Sequence, residues 1–302
     1  MEFKTIAVVS VIVVVILIVL YNVYLRFQYS LFINYLDFWP EIQQDKLSKK
    51  YFETLVSSLK LPGKTAYNIY SVFGHSTISD NPNHYNIQFS GEQTYRNPKK
   101  FHLNLVPGPS HKSFAPFLHF TLHTTFKENI KSPMTVRYID DRELMKKSFC
   151  LFSVSNKNSS NRIDFFKKLS KYKAIDSCGK VENNKKDCPP RESYSSKENC
   201  SFISNYKFMI CFENISLHNY CTEKVLNAYF CGTIPIYWGC PNIADFIDLE
   251  SIFYISPDYT DQEVTTVIQK IIECDSNDDV YRKKYNRPLF KNNVLPASLA
   301  KF

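Results

Sequence analysis

Apolar and polar residues follow one another in blocks that predict alternating strands and helices. Short runs of β-favouring residues predict strands at Tyr67–Phe73, Tyr85–Ser90 and Phe101–Val106. Within Leu31–Lys60, the stretch KLSKKYFETLVSSLK has apolar residues at helical spacing and predicts a helix. The first part of the chain is therefore predicted to be α/β, in a unit shorter than a full Rossmann-like domain.

The most regular pattern runs from Phe208 to Gly239 and reads FMICFENISLHNYCTEKVLNAYFCGTIPIYWG. A strand is predicted at Phe208–Phe212, followed by a helix that Thr222 can cap and by a buried strand at Thr233–Trp238. Such a unit places a polar loop and a helix N-terminus at the carboxyl end of a strand. Open α/β sheets bind phosphate-bearing ligands at that position.

Leu118–Thr125 alternates at a period of two, which predicts a strand with His119 and His123 on one face. The alternative, a metal-binding pair four residues apart on a helix, is disfavoured by this alternation. Arg137 and Tyr138 follow, and we expect both on the surface. The remaining elements are predicted as a strand at Ile252–Ile255 and amphipathic helices at Gln262–Cys274 and Asp279–Phe290.

The longest apolar run is Ile6–Tyr24, which reads IAVVSVIVVVILIVLYNVY. About twenty such residues can span a bilayer. Lys4 precedes the run and Arg26 follows it. A cleaved signal peptide is the alternative, but the run is long for the apolar region of a signal peptide and no small-residue cleavage site follows. The pattern therefore predicts an uncleaved membrane anchor.

Composition and charge narrow the classes of function. The chain has 302 residues, of which 44% are hydrophobic and 22% charged, as expected for a globular protein with room for two domains. Only seven glycines are present and no G-x-G-x-x-G occurs, so neither a dinucleotide fingerprint nor a P-loop is supported. The net charge of +8 is scattered, which disfavours nucleic acid and suits a nucleotide-sugar diphosphate or an anionic membrane surface.

The nine cysteines contain no C-x-x-C and do not have the spacing of a zinc site. Three of them lie in or beside the central unit and are predicted to be small buried hydrophobic residues rather than disulfide partners: Cys211, Cys221 and Cys231. Three others lie in a polar, loop-like region and could pair if the domain is lumenal: Cys178, Cys188 and Cys200. Because the count is odd, at least one thiol is free or pairs with another chain.

The motifs FENI, YCTEK and GTIPIYWG, in this order and at this spacing, resemble the signature of the α1,3/α1,4-fucosyltransferases. The resemblance covers about Phe38 to Phe290 and is strongest from Cys150 to Phe246. It implies an α/β protein with two Rossmann-like domains that face each other across a cleft, the GT-B type, with an N-terminal transmembrane helix. The implied domains are an anchor at 1–28, a stem and acceptor-side domain at 29–145, a GDP-fucose-binding domain at 146–283, and a C-terminal helix and tail at 284–302.

The resemblance implies an inverting transfer of L-fucose from GDP-fucose to a glycan hydroxyl in α1,3 or α1,4 linkage, on N-acetylglucosamine of a lactosamine-type or N-glycan-core acceptor. It implies no required cofactor. No Asp-x-Asp triplet is present to hold a metal on the diphosphate, although stimulation by a divalent metal stays open. It also implies a single-pass type II membrane protein of the Golgi or endoplasmic reticulum with a lumenal catalytic domain.

Matches to family segments imply the site residues. The segment YNIQFSGEQTYRNP resembles the family's strand and G-E-N segment, which implies that Glu92 is the general base. SFCLFSVSN and the helix after it resemble another family segment, which implies that Arg162 binds the diphosphate, since a guanidinium can bridge two phosphate oxygens. Lys224 is the second catalytic cation. The implied donor-binding residues are Asn156, Arg162, Glu213, Asn214, Tyr220, Glu223 and Lys224.

Other interpretations of these residues stay open. Glu92 could be a solvated turn residue, Arg162 could lie on an exposed helix face, and Glu223 could serve only to favour a helix N-terminus. Two alternative functions also remain. One is a non-catalytic protein that binds a glycan or nucleotide on the same fold, and the other is a transferase that uses a different nucleotide-sugar.

Overall fold

The structure is a computed structural model that describes residues 16–17, 32–59, 64–108, 114–130, 137–158, 160–190 and 196–300. The described chain forms two separate parallel sheets, one with four strands and one with five. We call the part built on the first sheet the N-terminal unit and the part built on the second the C-terminal unit. Two parallel sheets in succession confirm the predicted α/β class with two units.

The N-terminal unit carries its strands in chain order, β1-β2-β3-β4. These strands are β1 Ile33–Leu36, β2 Ala66–Tyr70, β3 His84–Phe89 and β4 Leu103–Leu105. The helices of this half are α1 Lys46–Leu59 and α2 Pro116–His123. The predicted strands and the predicted first helix are confirmed, with ends displaced by a few residues.

The C-terminal unit carries its strands in the order β6-β5-β7-β8-β9. These strands are β5 Ser148–Val154, β6 Asp176–Gly179, β7 Tyr206–Ile210, β8 Ile234–Trp238 and β9 Phe253–Ile255. The helices are α3 Asp141–Lys146, α4 Ser160–Ser170, α5 Lys197–Ser204, α6 Glu223–Phe230, α7 Asp261–Ser276 and α8 Asp278–Tyr285. Short 3-10 helices lie at Pro40–Gln43, Pro98–Lys100, Ile243–Asp245, Leu249–Ser251, Lys291–Asn293 and Ala297–Leu299.

The second sheet has a topological switch point between β5 and β7. The chain goes from β5 outward to β6, then returns to the other side of β5 for β7, β8 and β9, and all these pairings are parallel. In doubly wound sheets the reversal leaves a crevice outside the carboxyl ends of the two strands that flank it. The loops after β5 and β7 are therefore the expected ligand-binding loops.

Helix α1 covers the first sheet with a stripe of buried apolar residues. Phe52 is fully buried, and its ring centre lies 5.2 Å from that of Phe89 on β3 and 5.8 Å from that of Phe120 on α2. Complete burial of one phenylalanine contributes roughly 2–3 kcal/mol. This cluster holds α1 and α2 on the sheet and so fixes the strand ends from which the N-terminal side of the site is built.

The predicted strand at Leu118–Thr125 is wrong, because this segment is the helix α2. Pro116 occupies its first turn, where a missing backbone N–H costs nothing. The helix lies between the two units, with Leu118 and Leu122 in one apolar cluster and Phe120 in another. A helix that is buried on several sides has no polar face, and its sequence then loses the helical period.

His119 and His123 are one turn apart on α2, and both rings have hydrogen-bonding partners within the protein. His119 Nδ1 lies 2.8 Å from the hydroxyl of Tyr51, and Nε2 lies 2.9 Å from the carbonyl oxygen of Ala300. His123 Nε2 lies 2.8 Å from the carbonyl oxygen of Leu299. Burial lowers the pKa of His119 to about 4, so this imidazole is neutral near pH 7.

The prediction for Cys231 is wrong, because this residue forms a disulfide with Cys200. Helix α5 packs beside the end of α6, and the Cα atoms of the two cysteines are 4.9 Å apart. A second disulfide joins Cys178 at the end of β6 to Cys188 in the following loop. Cys211 and Cys221 are buried free thiols, as predicted.

Arg137 was predicted on the surface, and this prediction is also wrong. Its guanidinium lies 3.6 Å from the ring centre of Tyr229 and 4.3 Å from that of Tyr285. It also donates hydrogen bonds to three backbone carbonyl oxygens, those of Tyr229, Thr233 and Tyr285. The neighbouring Tyr138 is 75% exposed, as predicted.

The predictions for the two ends of the chain have different outcomes. The last predicted helix stops at Tyr285, so the described part of 284–302 holds two 3-10 helices rather than a further α-helix. The predicted anchor at Ile6–Tyr24 lies outside the described residues, apart from Ile16 and Leu17. Within the part of the chain that the structure describes, none of the helices has the length and apolar character needed to cross a bilayer.

Candidate active site

A cleft of about 640 Å³ lies between the two units. Its N-terminal wall consists of residues that follow strands or belong to α2: Trp39, Phe73, Gly91, Glu92 and Phe117. Its C-terminal wall consists mainly of the loops after β5, β6 and β7, one face of α5 and the start of α6. Both sheets therefore present the carboxyl ends of their strands to one cleft, where ligands of parallel sheets bind.

Arg162 and Asn214 meet at the switch point of the second sheet. Arg162 lies in the first turn of α4 and is only 4% exposed, and its Nη2 donates a 2.6 Å hydrogen bond to Asn214 Oδ1 in the loop after β7. Asn156, in the loop after β5, lines the same part of the cleft. The predicted cation and the two predicted amides are thus brought together by loops on both sides of the reversal.

Lys224, in the first turn of α6, projects into the cleft from a buried ion pair. Its ammonium lies 3.1 Å from Glu213 Oε2 and 2.8 Å from Thr222 Oγ1. The Glu213 side chain is fully buried, whereas that of Lys224 is 27% exposed. Burial disfavours the charged amine, but the carboxylates of Glu213 and Glu223 outweigh it and raise the pKa of Lys224. Lys224 is therefore a cation throughout the physiological range.

Tyr220 and Glu223 flank Lys224 and also line the cleft. Tyr220 is 2% exposed, and burial followed by the charge of Glu213 raises the pKa of its hydroxyl, so it remains protonated. Glu223 Oε1 lies 3.9 Å from the Lys224 ammonium and its side chain is 31% exposed. The Tyr220 hydroxyl can donate a hydrogen bond to a ligand, and the Glu223 carboxylate can accept hydrogen bonds from hydroxyl groups of a ligand.

Glu92 faces these charges from the opposite wall. It follows β3, and its backbone N–H donates a 3.1 Å hydrogen bond to Ser90 Oγ. Burial raises the pKa of the Glu92 carboxyl, the cation of Lys224 opposes this shift, and the carboxylates of Glu223 and Glu213 add to it. A half-buried carboxyl with a raised pKa is a suitable proton acceptor for a hydroxyl in the cleft.

Gly91 is required next to Glu92 because of a close approach by Phe117. A Cβ atom at position 91 would lie 2.2 Å from Cδ2 of the Phe117 ring. The ring packs over the turn that carries Glu92 and lines the cleft itself. The absence of a side chain at Gly91 therefore lets the N-terminal wall close up to the predicted base.

Glu213 is the one predicted site residue that does not line the cleft. It lies beneath the cleft floor, and its carboxylate accepts hydrogen bonds from the backbone and side chain of Thr222. Thr222 occupies the predicted N-cap position of α6, but its hydroxyl binds Glu213 and makes no capping bond. Every other predicted site residue lines the cleft.

Sequence reasoning missed the loop after β6, which forms one end of the C-terminal wall. Lys180, Cys188 and Pro189 of this loop line the cleft, and the disulfide Cys178–Cys188 ties the loop to the sheet. Two cysteines ten residues apart in a polar segment were the available signal. Among the described residues there is no group of three or more His, Cys, Asp or Glu side chains that could hold a metal ion.

Comparison with known proteins gives consistent matches over both units. Residues 144–289 match the model of a family described as "Glycosyltransferase family 10 (fucosyltransferase) C-term". The chain is 30% identical over 216 residues to "Putative fucosyltransferase R654" of Acanthamoeba polyphaga mimivirus, a match that covers 70% of this chain and 34% of the relative.

Of two further relatives, one is named for a linkage and the other for transfer to protein. The chain is 38% identical over 105 residues to "Alpha-(1,3)-fucosyltransferase FucT" of Helicobacter pylori, which covers 35% of this chain and 20% of the relative. It is 28% identical over 200 residues to "GDP-fucose protein O-fucosyltransferase 3" of Xenopus laevis, which covers 58% of this chain and 42% of the relative. The chain thus spans less than half the length of each of these relatives.

The fold is similar to that of a solved structure described as "Crystal Structure of alpha1,3-Fucosyltransferase with GDP". The TM-score is 0.61 at 19% identity, and the superposition covers 88% of this chain and 88% of the other. The coverage extends the likeness beyond residues 144–289 to the N-terminal unit.

Proposed function

We propose that this chain, whose residues 144–289 form a glycosyltransferase family 10 (fucosyltransferase) domain, transfers L-fucose from GDP-fucose to a hydroxyl group of an acceptor. The observation that carries the proposal is the convergence of two cations from different βα units. Arg162 from α4 and Lys224 from α6 line one cleft at the switch point of the second sheet. Their charges interact, since Arg162 opposes the raised pKa of Lys224.

The two cations suit a diphosphate leaving group. Negative charge builds on the diphosphate as the bond from its oxygen to the anomeric carbon breaks, and fixed positive charge in a partly dehydrated cleft lowers the barrier. Arg162 can bind two phosphate oxygens at once, and Lys224 supplies a point charge. Asn156 and Asn214 from the two flanking loops, with Tyr220 and Glu223, would hold the donor.

Glu92 is proposed as the general base. The acceptor hydroxyl gives its proton to the Glu92 carboxylate while its oxygen forms a bond to the anomeric carbon. The bond from that carbon to the diphosphate oxygen breaks at the same time, and its electron pair leaves with GDP. A single displacement from the face opposite the diphosphate inverts the anomeric configuration. This role is supported by the place of Glu92 on the N-terminal wall of the cleft, since both cations line the C-terminal wall.

The acceptor proposed is a glycan, with fucose added in α1,3 or α1,4 linkage to N-acetylglucosamine. The N-terminal wall supports a sugar acceptor, because Trp39, Phe73 and Phe117 give it aromatic surface beside Glu92. Phe73 is 56% exposed and its ring centre lies 6.3 Å from that of Trp39, so part of this aromatic surface is open to a ligand. The second candidate is transfer to a hydroxyl of a protein, which the relative named as a protein O-fucosyltransferase favours.

A lumenal location in the Golgi or endoplasmic reticulum, as a single-pass type II membrane protein, is also proposed. Two disulfides in the C-terminal unit support an oxidising compartment. The apolar run at residues 6–24 supports anchoring. Protease protection of the tagged chain in microsomes tests the orientation, and a cytosolic, protease-sensitive catalytic unit would overturn it.

The activity is tested by incubating the purified chain with labelled GDP-fucose and an array that carries lactosamine, N-glycan-core and folded-protein acceptors. Label on N-acetylglucosamine, with linkage read by exoglycosidases and mass spectrometry, supports the proposal. Label only on protein hydroxyls supports the second candidate. Binding of GDP without transfer or hydrolysis of GDP-fucose would show a non-catalytic binding protein, and turnover of another nucleotide-sugar in a parallel donor panel would reassign the donor.

A further inference from the structure

Glu213 is a fully buried charged group beneath the cleft, and it has no role in the transfer proposed above. Its side chain is 0% exposed. The backbone N–H of Thr222 donates to Oε1 at 2.7 Å, and the Thr222 hydroxyl lies 2.8 Å from Oε2. The Tyr237 hydroxyl lies 3.4 Å from Oε1. A buried carboxylate is costly unless it is paired, and Lys224 is the cation that pairs with it.

The geometry divides the donors of Lys224 between the protein and the cleft. An ammonium has three N–H donors. Two of them are directed at Glu213 Oε2, at 3.1 Å, and at Thr222 Oγ1, at 2.8 Å. The Thr222 hydroxyl accepts from Lys224 and donates to Glu213, so the three groups form a closed triangle. The third ammonium donor remains for an anion in the cleft that Lys224 lines.

Gly239, directly after β8, shows how tightly Glu213 is confined. A Cβ atom at position 239 would lie 2.5 Å from Cβ and 2.6 Å from Cγ of Glu213. The backbone N–H of Glu213 also donates to the carbonyl oxygen of Trp238 at 2.9 Å. The carboxyl ends of β7 and β8 therefore clamp Glu213 in one position, and this position fixes the ammonium above it.

We propose that Glu213 is a positioning residue that acts on the leaving group only through Lys224, by holding its ammonium at the cleft surface with Thr222. This inference rests on the proposed function, in which Lys224 binds the diphosphate. Glu213 itself never contacts the donor. The charge of the pair keeps Lys224 protonated, in line with the raised pKa of this lysine.

A double-mutant cycle tests this inference. Lys224→Ala is expected to lower kcat about 10²- to 10³-fold, as loss of a transition-state charge partner does. Glu213→Gln keeps the shape and the bond from the Thr222 N–H, and is expected to lower kcat about tenfold to a hundredfold. If Glu213 acts through Lys224, the double variant is no slower than Lys224→Ala alone. Multiplied losses in the double variant would overturn the inference.

Asp275→Asn is the matched control for the loss of a buried ion pair. Asp275 has a 3% exposed side chain, pairs with Lys173 and Lys207, and does not line the cleft. We expect it to lower the unfolding temperature while kcat stays within about twofold of wild type. If Asp275→Asn and Glu213→Gln lower kcat equally, the effect at Glu213 is explained by general destabilisation, and the positioning role is refuted.

The same double-mutant cycle, measured as dissociation constants for GDP, distinguishes a failure of this inference from a failure of the proposed function. Titration calorimetry needs no turnover, so the cycle is informative even if wild type transfers no fucose. Positioning is supported if Glu213→Gln weakens GDP binding in the wild-type background but does not weaken it further in the Lys224→Ala background. Full-strength GDP binding and full kcat in a correctly folded Glu213→Gln protein would refute it. Gly239→Ala, which displaces Glu213 without changing its charge, should reproduce the loss.

Discussion

The guanidinium of Arg162 and the side-chain oxygen of Asn214 are 2.6 Å apart, and this hydrogen bond spans the point at which the order of strands reverses in the second sheet. Arg162 belongs to the helix after β5, and Asn214 to the loop after β7. The bond ties the two ligand-facing loops together and orients the arginine. A donor that binds across the reversal would contact both loops at once.

Replacement of Arg162 by lysine tests the bidentate role of the guanidinium. Lysine keeps the charge but loses the planar fork, so we expect kcat/KM for GDP-fucose to fall about a hundredfold, or roughly 2.7 kcal/mol. Steady-state kinetics with varied donor provide the measurement. Arg142→Lys, on the exposed side of α3, is the matched control and should change nothing. Equal kcat/KM values for Arg162→Lys and Arg142→Lys would show that the Arg162 guanidinium does not bind the donor.

Replacement of Glu92 by glutamine tests the base. The variant can hydrogen-bond but cannot accept a proton, so transfer should fall about 10²- to 10⁴-fold. The affinity for GDP, measured by calorimetry, should stay within about threefold because the proposed donor-binding residues lie on the other wall. Glu53→Gln, on the exposed face of α1, controls for the loss of a carboxylate. Unchanged transfer by Glu92→Gln would leave the reaction without this base.

The raised pKa of Glu92 predicts a pH dependence of both rate and stability. Burial is its main cause, so the acid limb of kcat/KM should have its midpoint above the ordinary value of 4.5 and should be absent from the residual activity of Glu92→Gln. The folded carboxyl holds its proton at a pH where the unfolded one has lost it. This contribution to the free energy of unfolding therefore decreases as pH rises between the two pKa values. A limb at or below the ordinary value would contradict the burial of Glu92.

The disulfide between Cys178 and Cys188 should affect donor binding more than folding of the second sheet. Both cysteines line the cleft, and the bond anchors the loop after β6. In the variant with serine at both positions, the loop must be ordered when the donor binds, so KM for GDP-fucose should rise severalfold, by roughly 1 kcal/mol. Steady-state kinetics and thermal unfolding measure the two effects. An unchanged KM with a large drop in unfolding temperature would assign the bond a stabilising role only.

Asp275 is predicted to stabilise the C-terminal unit from outside the cleft. Burial opposes its ionisation, but the hydrogen bonds from Lys173 and Lys207 prevail and lower its pKa. Because the folded pKa is depressed, the stabilisation is present at neutral pH and is lost as pH falls through that pKa. Asp275→Asn leaves the lysines without their partner and should cost about 3 kcal/mol in urea unfolding at pH 7. A cost that stays constant down to pH 3 would contradict an ionised Asp275.

The predictable part of the molecule is the part whose determinants are local. The segment from β7 to β8 was predicted because two short apolar runs, with a polar loop and a helix between them, are close in sequence. The cleft residues could be predicted from short motifs, because each of them follows a strand or lies at the start of a helix. Helix α2 was not predicted, because its burial between two units removes the polar face on which helical periodicity depends.

Long-range partnerships account for the other differences. The disulfide of Cys231 depends on where α5 packs, and the buried position of Arg137 depends on Tyr229 and Tyr285, which are far away in the chain. Glu213 was predicted to bind the donor because it ends a strand, at the point where ligand-facing loops begin. Its actual partners lie on two other segments that come together in the fold, at Thr222 before α6 and at Tyr237 and Gly239 at the end of β8.

All the described strands run parallel within their sheets, so in each unit the carboxyl ends of the strands face the cleft and the amino ends face away from it. The turn at Lys171 follows α4 and precedes β6, so it lies at the amino ends of the strands, away from the cleft. A reporter peptide inserted there should leave both walls intact, whereas the same insertion after Phe89 or Val154 should disturb them. Loop exchange on the cleft side is therefore expected to alter the proposed reaction, whereas a turn on the far side can carry a label or a point of immobilisation.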